Sequence, residues 1–418
     1  MKKDFNYYNT LLVQSVGSKV GPIAPTLVPS AAFGYEDAEQ AEGIFAGEVN
    51  SPLYARVGNP TNAKLEGVVA KMEGGFGAIA TSSGMGAISM VTTAFLHAGD
   101  EVLCIGGFFG GTYTLITETM KRFGVTNSFC EVDDISHIES KLKSGVKMVL
   151  MESVGNPSLR LPDIKLIADM CNVYETLLLV DNTATPLIVR PLELGADIVV
   201  YSSTKNMSGH SAALGGVAVF RAVKEKDEKL LNDKYEDIHG IVKKMGKKAF
   251  IPICKKRAIR DMGMTANAFG SFLTLLGLET LSLRVERVNN SVAEVAKLLK
   301  EALPEDISVN HPSLSSSVDS KMYKRDFKHG CGPLLTLDCG TKERAFGLLN
   351  KLENVIQTAN IGDNRTLALH MQSTIYSDFD EQSRIFLGVT EGLIRVSVGL
   401  EDPKTIAEDF LQASGKKD

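Results

Sequence analysis

The sequence lacks the residue patterns that mark several large classes of protein. Its six cysteines lie far apart without a CxxC pair, and its seven histidines form neither an HExxH motif nor a Cys/His cluster with zinc spacing. A disulfide framework and a metal site are therefore not expected. Lysine plus arginine (45) and aspartate plus glutamate (50) leave a net charge of −5 without long blocks of one sign. That distribution gives no surface typical of proteins that bind nucleic acid or an anionic membrane.

The chain also lacks the signs of export and of disorder. The N-terminal segment MKKDFNYYNT places Asp4 and Asn6 where a secretory signal needs apolar residues. The uncharged stretch 74–99 is rich in glycine, serine and threonine, which favours tightly packed backbone over a membrane span. Hydrophobic residues make up 44% and charged residues 23%, close to the globular average. We expect a cytoplasmic protein with a sizeable core and no membrane or nucleic-acid partner.

Three regions follow one another along the 418 residues, a length that fits two domains. Residues 1–60 contain repeated prolines and glycines that interrupt helical and strand periodicity, so we expect an extended arm packed on another surface. Residues 61–260 are expected to form a large α/β domain. Residues 261–418 are expected to form a linking helix over 265–300 and a smaller α+β domain.

Short apolar runs alternate with helical patterns in the large domain. Strands are predicted at 101–105, 147–153, 177–181, 197–202 and 215–220, and helices at 62–73, 85–98, 112–123, 134–143 and 162–175. The strands are continuously apolar, which is typical of parallel strands buried on both faces. The sequence therefore predicts an α/β fold whose large domain contains a mainly parallel sheet.

Lys205 follows the predicted strand at 197–202, at the end of the sheet where doubly wound folds bind ligands. It is either an ordinary surface lysine or a half-buried amine, which is easily deprotonated and suits Schiff-base chemistry with an aldehyde. The segment from Ser202 to Lys205 also matches the SxxK motif of serine acyl-enzymes. That alternative fits poorly, because the chain has neither an SDN nor a KTG tripeptide and the segment follows a strand.

Asp181 ends the predicted strand at 177–181. An acid there either caps a loop through backbone amides or serves as the counter-ion of a protonated pyridine nitrogen. At about 3 Å and an effective dielectric of about 20, the Coulomb energy of the second arrangement is roughly 5 kcal/mol. That energy would raise a ring pKa by up to about three or four units before desolvation is subtracted. Both roles remain open from the residues alone.

The segment SSGMG at 82–86 precedes a helical run, so its backbone amides can converge on an anion. It is neither a P-loop nor a GxGxxG motif, and close helix packing is the alternative explanation. A lysine, a carboxylate and an anion nest in one domain match an aldehyde, a pyridinium and a phosphate. One cofactor carries all three groups, pyridoxal 5′-phosphate (PLP).

At these residues the chain resembles the Cys/Met-metabolism enzymes, which include cystathionine γ-synthase, the cystathionine and methionine γ-lyases and O-acetylhomoserine sulfhydrylase. The matching segments run over nearly the whole chain and include YARVGNPT from Tyr54, GADIVVYSSTK ending at Lys205, and IRVSVGLED from Ile394. The resemblance implies the fold-type I architecture of aspartate aminotransferase with PLP as cofactor. It also implies a homotetramer, a dimer of dimers with shared active sites.

The resemblance implies a role for each matching residue. Lys205 would form the Schiff base with PLP and act as the catalytic base, and Asp181 would pair with the ring nitrogen. The remaining cofactor contacts would be Gly84, Met85, Ser202 and Thr204 at the phosphate, Asn156 at the ring hydroxyl, and Tyr54 and Arg56 at the phosphate of the neighbouring subunit. Arg395 would bind the substrate carboxylate, with Asn360 also in the substrate site.

One cofactor-binding position departs from the family's pattern. The residue before Gly110 is usually a tyrosine stacked on the cofactor, whereas this chain has Phe109, which can stack but has no hydroxyl to move a proton. Tyr54 or Tyr113 is expected to supply that hydroxyl, unless the chemistry is altered. Gly111 stands where typical methionine γ-lyases have a cysteine, which weakens that assignment.

The segment ANIGD, which contains Asn360, is most similar to the O-acetylhomoserine sulfhydrylases. The hypothesis is therefore PLP-dependent γ-replacement on an activated homoserine, with sulfide or a thiol as the second substrate. γ-Elimination by a methionine or cystathionine γ-lyase is the alternative within the family. A non-catalytic or nucleotide-binding α/β protein is the alternative outside it.

Overall fold

The structure is a computed structural model that describes residues 3–49, 51–224 and 239–415. The strands of the larger sheet are β1 (Gly77–Thr81), β2 (Glu101–Ile105), β3 (Thr126–Cys130), β4 (Met148–Glu152), β5 (Leu177–Asp181), β6 (Ile198–Tyr201) and β7 (Gly216–Phe220). Their order is β1-β7-β6-β5-β4-β2-β3. Strands β2 to β6 pair in parallel, and β7 runs antiparallel to β1 and β6. The predicted fold, a mainly parallel sheet in an α/β domain, is confirmed.

Helices precede, connect and follow these strands. They are α1 (Phe5–Val16), α2 (Ala38–Ala46), α3 (Pro60–Glu73), α4 (Gly84–Phe95), α5 (Gly110–Thr114), α6 (Ile135–Lys143), α7 (Ile164–Val173), α8 (Pro191–Leu194), α9 (His239–Met245), α10 (Phe250–Cys254) and α11 (Arg260–Met262). The path of α5 continues as a π-helix over Leu115–Thr119 and a 3-10 turn over Met120–Phe123. The predicted helix at 112–123 is therefore helical throughout, although it is not one regular α-helix.

The larger sheet is buried on both faces, as the continuous apolar runs predict. All five residues of β4 are buried. Val149 and Met151 join one apolar cluster, whereas Met148 and Leu150 join the cluster on the opposite face. Because successive strand residues point to opposite faces, apolar residues at every position require a core on each side.

Two strands of this sheet are absent from the sequence prediction. β1 lies inside the uncharged stretch 74–99, where no acidic or basic residue marks its ends. β3 is an edge strand, and only Cys130 among its residues is buried. A half-exposed edge strand does not need the continuous apolar run by which the central strands were recognised.

The N-terminal segment is only partly the extended arm that the sequence predicts. Residues 5–16 form α1, because Asp4 accepts a hydrogen bond from the Tyr7 N–H at 3.0 Å and no proline interrupts the segment. One face of α1, with Tyr8, Leu12 and Val16, is buried against the large domain. The remaining residues up to α3 are mostly irregular, apart from the short helix α2.

The long helix predicted over 265–300 is two helices, α12 (Ala268–Glu279) and α13 (Leu281–Ala302), bent by 64°. Arg284 accounts for the break: its guanidinium donates to the carbonyl of Gly277 at 2.6 Å and to the hydroxyl of Thr280 at 3.2 Å. One carbonyl in the last turn of α12 is thus bonded by a side chain. Among the described residues, no single helix is long and apolar enough to cross a membrane, and only this bent pair passes on combined length and composition.

The smaller domain contains a second sheet. Its elements are β8 (Ser308–Asn310), α14 (Ser320–Asp326), β9 (Leu334–Asp338), α15 (Lys342–Leu349), β10 (Ile356–Gln357), β11 (Leu367–His370), α16 (Glu381–Phe386), β12 (Leu393–Ser397) and α17 (Pro403–Ala413). The strand order is β10-β11-β12-β9-β8. A third apolar cluster joins this sheet to α13 and α17. The predicted smaller α+β domain is confirmed, and its central strand β12 carries Arg395.

Candidate active site

A cavity of about 220 Å³ lies at the carboxyl ends of β4, β5 and β6, between the large and the small domain. Most of the residues expected in the site line it, namely Gly84, Met85, Phe109, Asn156, Asp181, Ser202, Thr204, Lys205 and Arg395. A larger groove of about 740 Å³ lies near Lys3 and Arg190, where several of the charged side chains pair with one another. The chemistry of the lining, not the volume, therefore identifies the candidate site.

The amine of Lys205 lies inside this cavity. Tight turns follow β6, because the Lys205 N–H donates to the Ser202 carbonyl at 3.1 Å and the Gly209 N–H donates to the Lys205 carbonyl at 2.8 Å. Its Nζ donates to Asn360 Oδ1 at 2.5 Å. Burial, assisted by the nearby Arg395 charge, lowers the pKa of Lys205 to about 8. A neutral, nucleophilic amine is therefore accessible near neutral pH.

Asp181 is the last residue of β5 and lies in register with Glu152 on β4. One carboxylate oxygen accepts the Thr183 N–H at 2.9 Å, so the loop-cap role left open by the sequence is real. Burial nevertheless raises the pKa of Asp181, and no ion pair of the described residues includes it. A cation placed in the cavity beside this carboxylate would stabilise its ionised form.

The amino end of α4 forms the anion-binding part of the cavity. Ser83 caps the helix by accepting the Gly86 N–H at 3.0 Å, which leaves the first-turn N–H groups of Gly84 and Met85 without intrahelical acceptors. A Cβ at Gly84 would lie 2.6 Å from Ser202 Cβ. Glycine is thus required for Ser202 to approach the helix end. This arrangement suits a phosphate group.

Thr204 lines the same end of the cavity, but its hydroxyl is already bonded. It donates to the Gly215 carbonyl at 3.1 Å and accepts the Gly215 N–H at 3.0 Å. To donate to a phosphate, the hydroxyl would have to turn away from that carbonyl. Its expected phosphate contact stays a prediction.

Arg395 enters the cavity from β12 and is only 3% exposed. Its guanidinium donates to Asn156 Oδ1 at 3.0 Å and, more weakly, to the Asn360 carbonyl at 3.4 Å. Burial lowers the pKa of Arg395 to about 10, so the side chain remains cationic at neutral pH. A buried cation without a carboxylate partner can bind the carboxylate of an amino acid.

Phe109 lines the cavity at the amino end of α5, and its N–H donates to Glu152 Oε1 at 2.8 Å. Tyr113, one of the two tyrosines expected to replace the missing hydroxyl, does not line the cavity. Its ring stacks on Phe129 and its hydroxyl bonds Ser383 at 2.7 Å. Within its own chain Tyr113 therefore cannot act on a ligand in the site.

Tyr54 and Arg56 lie outside this chain's cavity. Tyr54 is 46% exposed. The Arg56 guanidinium donates to the Arg260 carbonyl and lies 5.8 Å from the centre of the Tyr54 ring. The structure thus does not bring these two residues together with Lys205 in one chain, and their expected contact with a neighbouring subunit stays a prediction.

Glu152 is a cavity residue that the predicted site omits. Its two oxygens accept the N–H groups of Phe109 at 2.8 Å and Asn156 at 3.1 Å. Burial, followed by the Asp181 charge, raises the pKa of Glu152 well above its usual range. The signal was present in the sequence, since Glu152 lies near the end of the strand predicted at 147–153. Its role as the link between two cavity loops required the register of β4 and β5.

Comparison with known proteins places the chain among sulfur amino-acid enzymes. The family model described as Cys/Met metabolism PLP-dependent enzyme matches residues 9–414. The homocysteine synthase of Schizosaccharomyces pombe is 35% identical over 409 residues, which cover 96% of this chain and 94% of that protein. The L-methionine gamma-lyase of Treponema denticola is 31% identical over 407 residues, with coverage of 96% and 94%.

A solved structure from Campylobacter jejuni, assigned as an O-acetylhomoserine (thiol)-lyase, has the same fold with a TM-score of 0.92. The two chains are 30% identical, and the match covers 98% of this chain and 99% of the other. That structure contains N′-pyridoxyl-lysine-5′-monophosphate at position 205 of its own chain.

The cavity of this chain fits pyridoxal phosphate. Lys205 offers an amine to the aldehyde, Asp181 offers an anion to a protonated ring nitrogen, and the glycine-dependent end of α4 offers N–H groups to the phosphate. Among the described residues there is no group of three or more histidine, cysteine or acidic side chains that could hold a metal ion. The donor set therefore matches this organic cofactor.

Proposed function

This chain belongs to the Cys/Met metabolism PLP-dependent enzyme family, and we propose that it catalyses γ-replacement on an activated homoserine. In the proposed reaction sulfide or a thiol replaces the γ-substituent, so that O-acetylhomoserine and sulfide yield homocysteine and acetate. The relatives named homocysteine synthase and O-acetylhomoserine (thiol)-lyase support this choice within the family.

The observation that carries the proposal is the position of the Lys205 amine. It lies in a cavity that also contains Asp181 and Arg395, and it is bonded to Asn360, within the segment most similar to the sulfhydrylases. When bound, PLP supplies an aldehyde that joins covalently to an amine and a ring that withdraws electrons from the substrate. The residues of the chain supply the remaining binding and proton transfer.

Arg395 binds and orients the substrate, because its buried guanidinium is positioned to pair with an α-carboxylate. Asn156 fixes the direction of that guanidinium. Lys205 moves protons: with a pKa of about 8, part of its amine is neutral at neutral pH and can take the proton from the substrate Cα. Asp181 keeps the cofactor ring cationic. Phe109 lines the cavity without offering a hydroxyl.

γ-Elimination is a second candidate, favoured by the similarity to the methionine gamma-lyase of Treponema denticola. It would release a 2-oxo acid, ammonia and a thiol from a thioether amino acid such as methionine or cystathionine. The surroundings of Gly111 weigh against it, because a Cβ there would lie 2.8 Å from Phe109 Cε1 and 3.3 Å from Met85 Sδ. A cysteine of the kind found in typical methionine γ-lyases would require Phe109 to move.

The active assembly in this proposal is a homotetramer built from dimers that share active sites. The partly exposed Tyr54 and Arg56 would then reach the phosphate in the partner's cavity, and Tyr54 would supply the hydroxyl that Phe109 lacks. Apolar side chains exposed on the N-terminal segment, such as Val20 at 87% and Phe45 at 71%, support burial against another copy.

The proposed location is the cytoplasm, and the proposed partners are limited to the amino-acid substrate and the sulfur donor. The cysteines of the chain are all free and buried, which suits a reducing compartment. No nucleic acid or membrane is required by the proposed reaction.

One assay tests the proposed function directly. Purified protein with PLP is incubated with O-acetylhomoserine in the presence and absence of sulfide, beside methionine and cystathionine, and homocysteine and 2-oxobutyrate are measured. Sulfide-dependent homocysteine with little 2-oxobutyrate is expected. If methionine without sulfide gives as much 2-oxobutyrate as O-acetylhomoserine with sulfide gives homocysteine, the activity is elimination instead. No product from any substrate would reject both replacement and elimination.

A further inference from the structure

A chain of hydrogen bonds runs from the cavity lysine to the protein surface. Lys205 Nζ donates to Asn360 Oδ1 at 2.5 Å, and Asn360 Nδ2 donates to Ser211 Oγ at 2.9 Å. Ser211 Oγ donates in turn to Asp363 Oδ2. Arg365 completes the chain, since its Nε donates to Asp363 Oδ1 at 2.6 Å. Every step is a direct side-chain contact.

The direction of these bonds is determined at Asp363. Its side chain is fully buried. Burial alone would raise the pKa of Asp363, but the hydrogen bonds from Arg365 and Ser211 hold that pKa below its ordinary value. An ionised carboxylate can only accept, so Ser211 must donate its proton to Asp363. The hydroxyl oxygen then accepts from Asn360, which requires the amide nitrogen of Asn360 to face Ser211. The amide oxygen is thereby directed at Lys205.

Ser211 adopts a backbone conformation that side-chain-bearing residues rarely take. Its φ is +54°, in the left-handed region. For a residue other than glycine, such a conformation costs free energy and persists where surrounding contacts determine it, commonly at functional sites. The contacts that determine it here include the two hydrogen bonds of its hydroxyl.

The chain of bonds alternates between the two domains. Lys205 and Ser211 belong to the large domain, whereas Asn360 and Asp363 belong to the loop before β11 in the small domain. The same loop is tied to the substrate-binding side, because Arg395 donates to the Asn360 carbonyl at 3.4 Å. Asn360 thus contacts both the lysine amine and the guanidinium expected to bind the substrate carboxylate.

We propose that Ser211 and Asp363 are positioning residues that lock the Asn360 amide, with its oxygen toward Lys205, and thereby hold the free lysine amine ready for proton transfer. Neither residue is among those that line the cavity. Their effect reaches the reacting atoms through Asn360 alone. The inference rests on the proposed role of Lys205 but not on the choice between replacement and elimination.

The substitution Ser211→Gly tests this inference, because glycine removes the hydroxyl and also tolerates a φ of +54°. Ser211→Ala is its matched control, since alanine removes the hydroxyl but keeps the backbone strain. If Ser211 matters only through its backbone conformation, Ser211→Gly should capture PLP and turn over substrate like the wild type. If it positions Asn360, both variants should show the same functional change, while Ser211→Gly remains at least as stable as Ser211→Ala.

Two readouts are measured on the full chain. The first is the rate at which cofactor-free protein captures PLP, followed by the absorbance of the lysine adduct across the pH range around 8, the value to which the pKa of Lys205 is lowered. Only the neutral amine attacks the aldehyde. Loss of the Asn360 acceptor disfavours the cationic amine, so capture at pH 7 should be about three- to ten-fold faster in both variants.

The second readout is turnover, in which kcat should fall about ten-fold with KM changed less than about two-fold.

Faster capture at pH 7 together with a lower kcat supports the positioning role, because damage to the fold would slow both. Wild-type capture and kcat in Ser211→Gly would overturn it. Slower capture at every pH together with a lower melting temperature in both variants would also overturn it and assign Ser211 a structural role. If the wild type itself turned over no substrate, the proposed function would fail, while the capture measurement would still decide this inference.

Discussion

The end of the large sheet and the N-terminal segment differ in how completely one chain builds them. At the sheet end, Lys205, Asp181 and Arg395 converge in one cavity and make direct contacts with their own chain. In the segment between α1 and α3, apolar side chains such as Ile23 and Phe45 remain 80% and 71% exposed. The first region brings its amine, carboxylate and guanidinium together within a single copy, whereas the second leaves apolar side chains exposed to solvent.

Because of this difference, we expect cofactor capture and full turnover to depend on different parts of the assembly. Capture of the cofactor by Lys205 should depend on residues of one chain, because its amine, counter-ion and anion nest all lie in that chain. Full turnover should also depend on the N-terminal segment of a neighbouring copy, if Tyr54 and Arg56 act as proposed. The following predictions test this division.

The largest effect is expected for Lys205→Ala. Removing the amine should leave the fold intact but abolish covalent attachment of PLP and lower turnover by about 10³-fold or more, because both the attachment point and the base are lost. Absorbance of the bound cofactor and steady-state kinetics measure this, with circular dichroism as the control for folding. Turnover close to that of the wild type would contradict the assignment of Lys205.

Asp181→Asn should have the next largest effect. The amide keeps the size of the side chain and one oxygen that can accept the Thr183 N–H, but it removes the anion beside the ring nitrogen. From the Coulomb energy of roughly 5 kcal/mol, reduced by solvation, kcat is expected to fall about 10²- to 10³-fold. PLP should still bind covalently, as measured by hydride trapping. Unchanged kinetics would remove Asp181 from the mechanism.

A buried acid at the end of α3 should make stability depend on pH. Burial raises the pKa of Glu73 to about 7, although Tyr201 and Leu192 donate hydrogen bonds to its carboxylate. Because its folded-state pKa lies above the unfolded one, its contribution to stability is fully present below about pH 4.5 and is lost as pH rises to about 7. The loss is at most about 3 kcal/mol.

The variant Glu73→Gln measures this contribution, because glutamine does not titrate. Urea denaturation at several pH values should give a smaller fall in unfolding free energy between the two pKa values than in the wild type. The slope is compared rather than the absolute stability, since the amide replaces one acceptor by a donor. Identical slopes would show that Glu73 does not titrate in this range.

The smallest effect is expected from mixing two inactive variants, and it tests the proposed sharing of sites. A dimer of Lys205→Ala with Arg56→Ala would contain one site damaged twice and one intact site, if Arg56 serves the partner. Random reassembly should then restore about one quarter of the wild-type activity. No recovery after confirmed subunit exchange would place Arg56 outside the partner's site.

The sequence predicted best those features that depend on the type of residue at each position of one short segment. The central strands were recognised because burial on both faces demands apolar residues at every position, and Lys205 and Asp181 were located because strand ends mark the binding edge. β3 escaped because an edge strand can be partly polar. The break at Thr280 was not predicted, because local patterns do not show that the Arg284 guanidinium bonds the Gly277 carbonyl and the Thr280 hydroxyl.

Local sequence patterns could not predict the contacts between the two domains. Ser211 and Asp363 are far apart in sequence, and nothing in their neighbours indicates that they share a hydrogen bond. Asn360 entered the predicted site only through the family resemblance, whereas its bond to Lys205 appears once the small domain is packed against the large one. Helix α1 was missed because the prolines that follow it dominated the pattern of the whole segment.

The covalent link between Lys205 and PLP is the central claim, and hydride trapping tests it most directly. Protein saturated with PLP is reduced with borohydride, digested and analysed by mass spectrometry. A pyridoxyl phosphate adduct on the peptide that contains Lys205 is the predicted result. An unmodified Lys205 peptide, or an adduct confined to other lysines, would contradict the account.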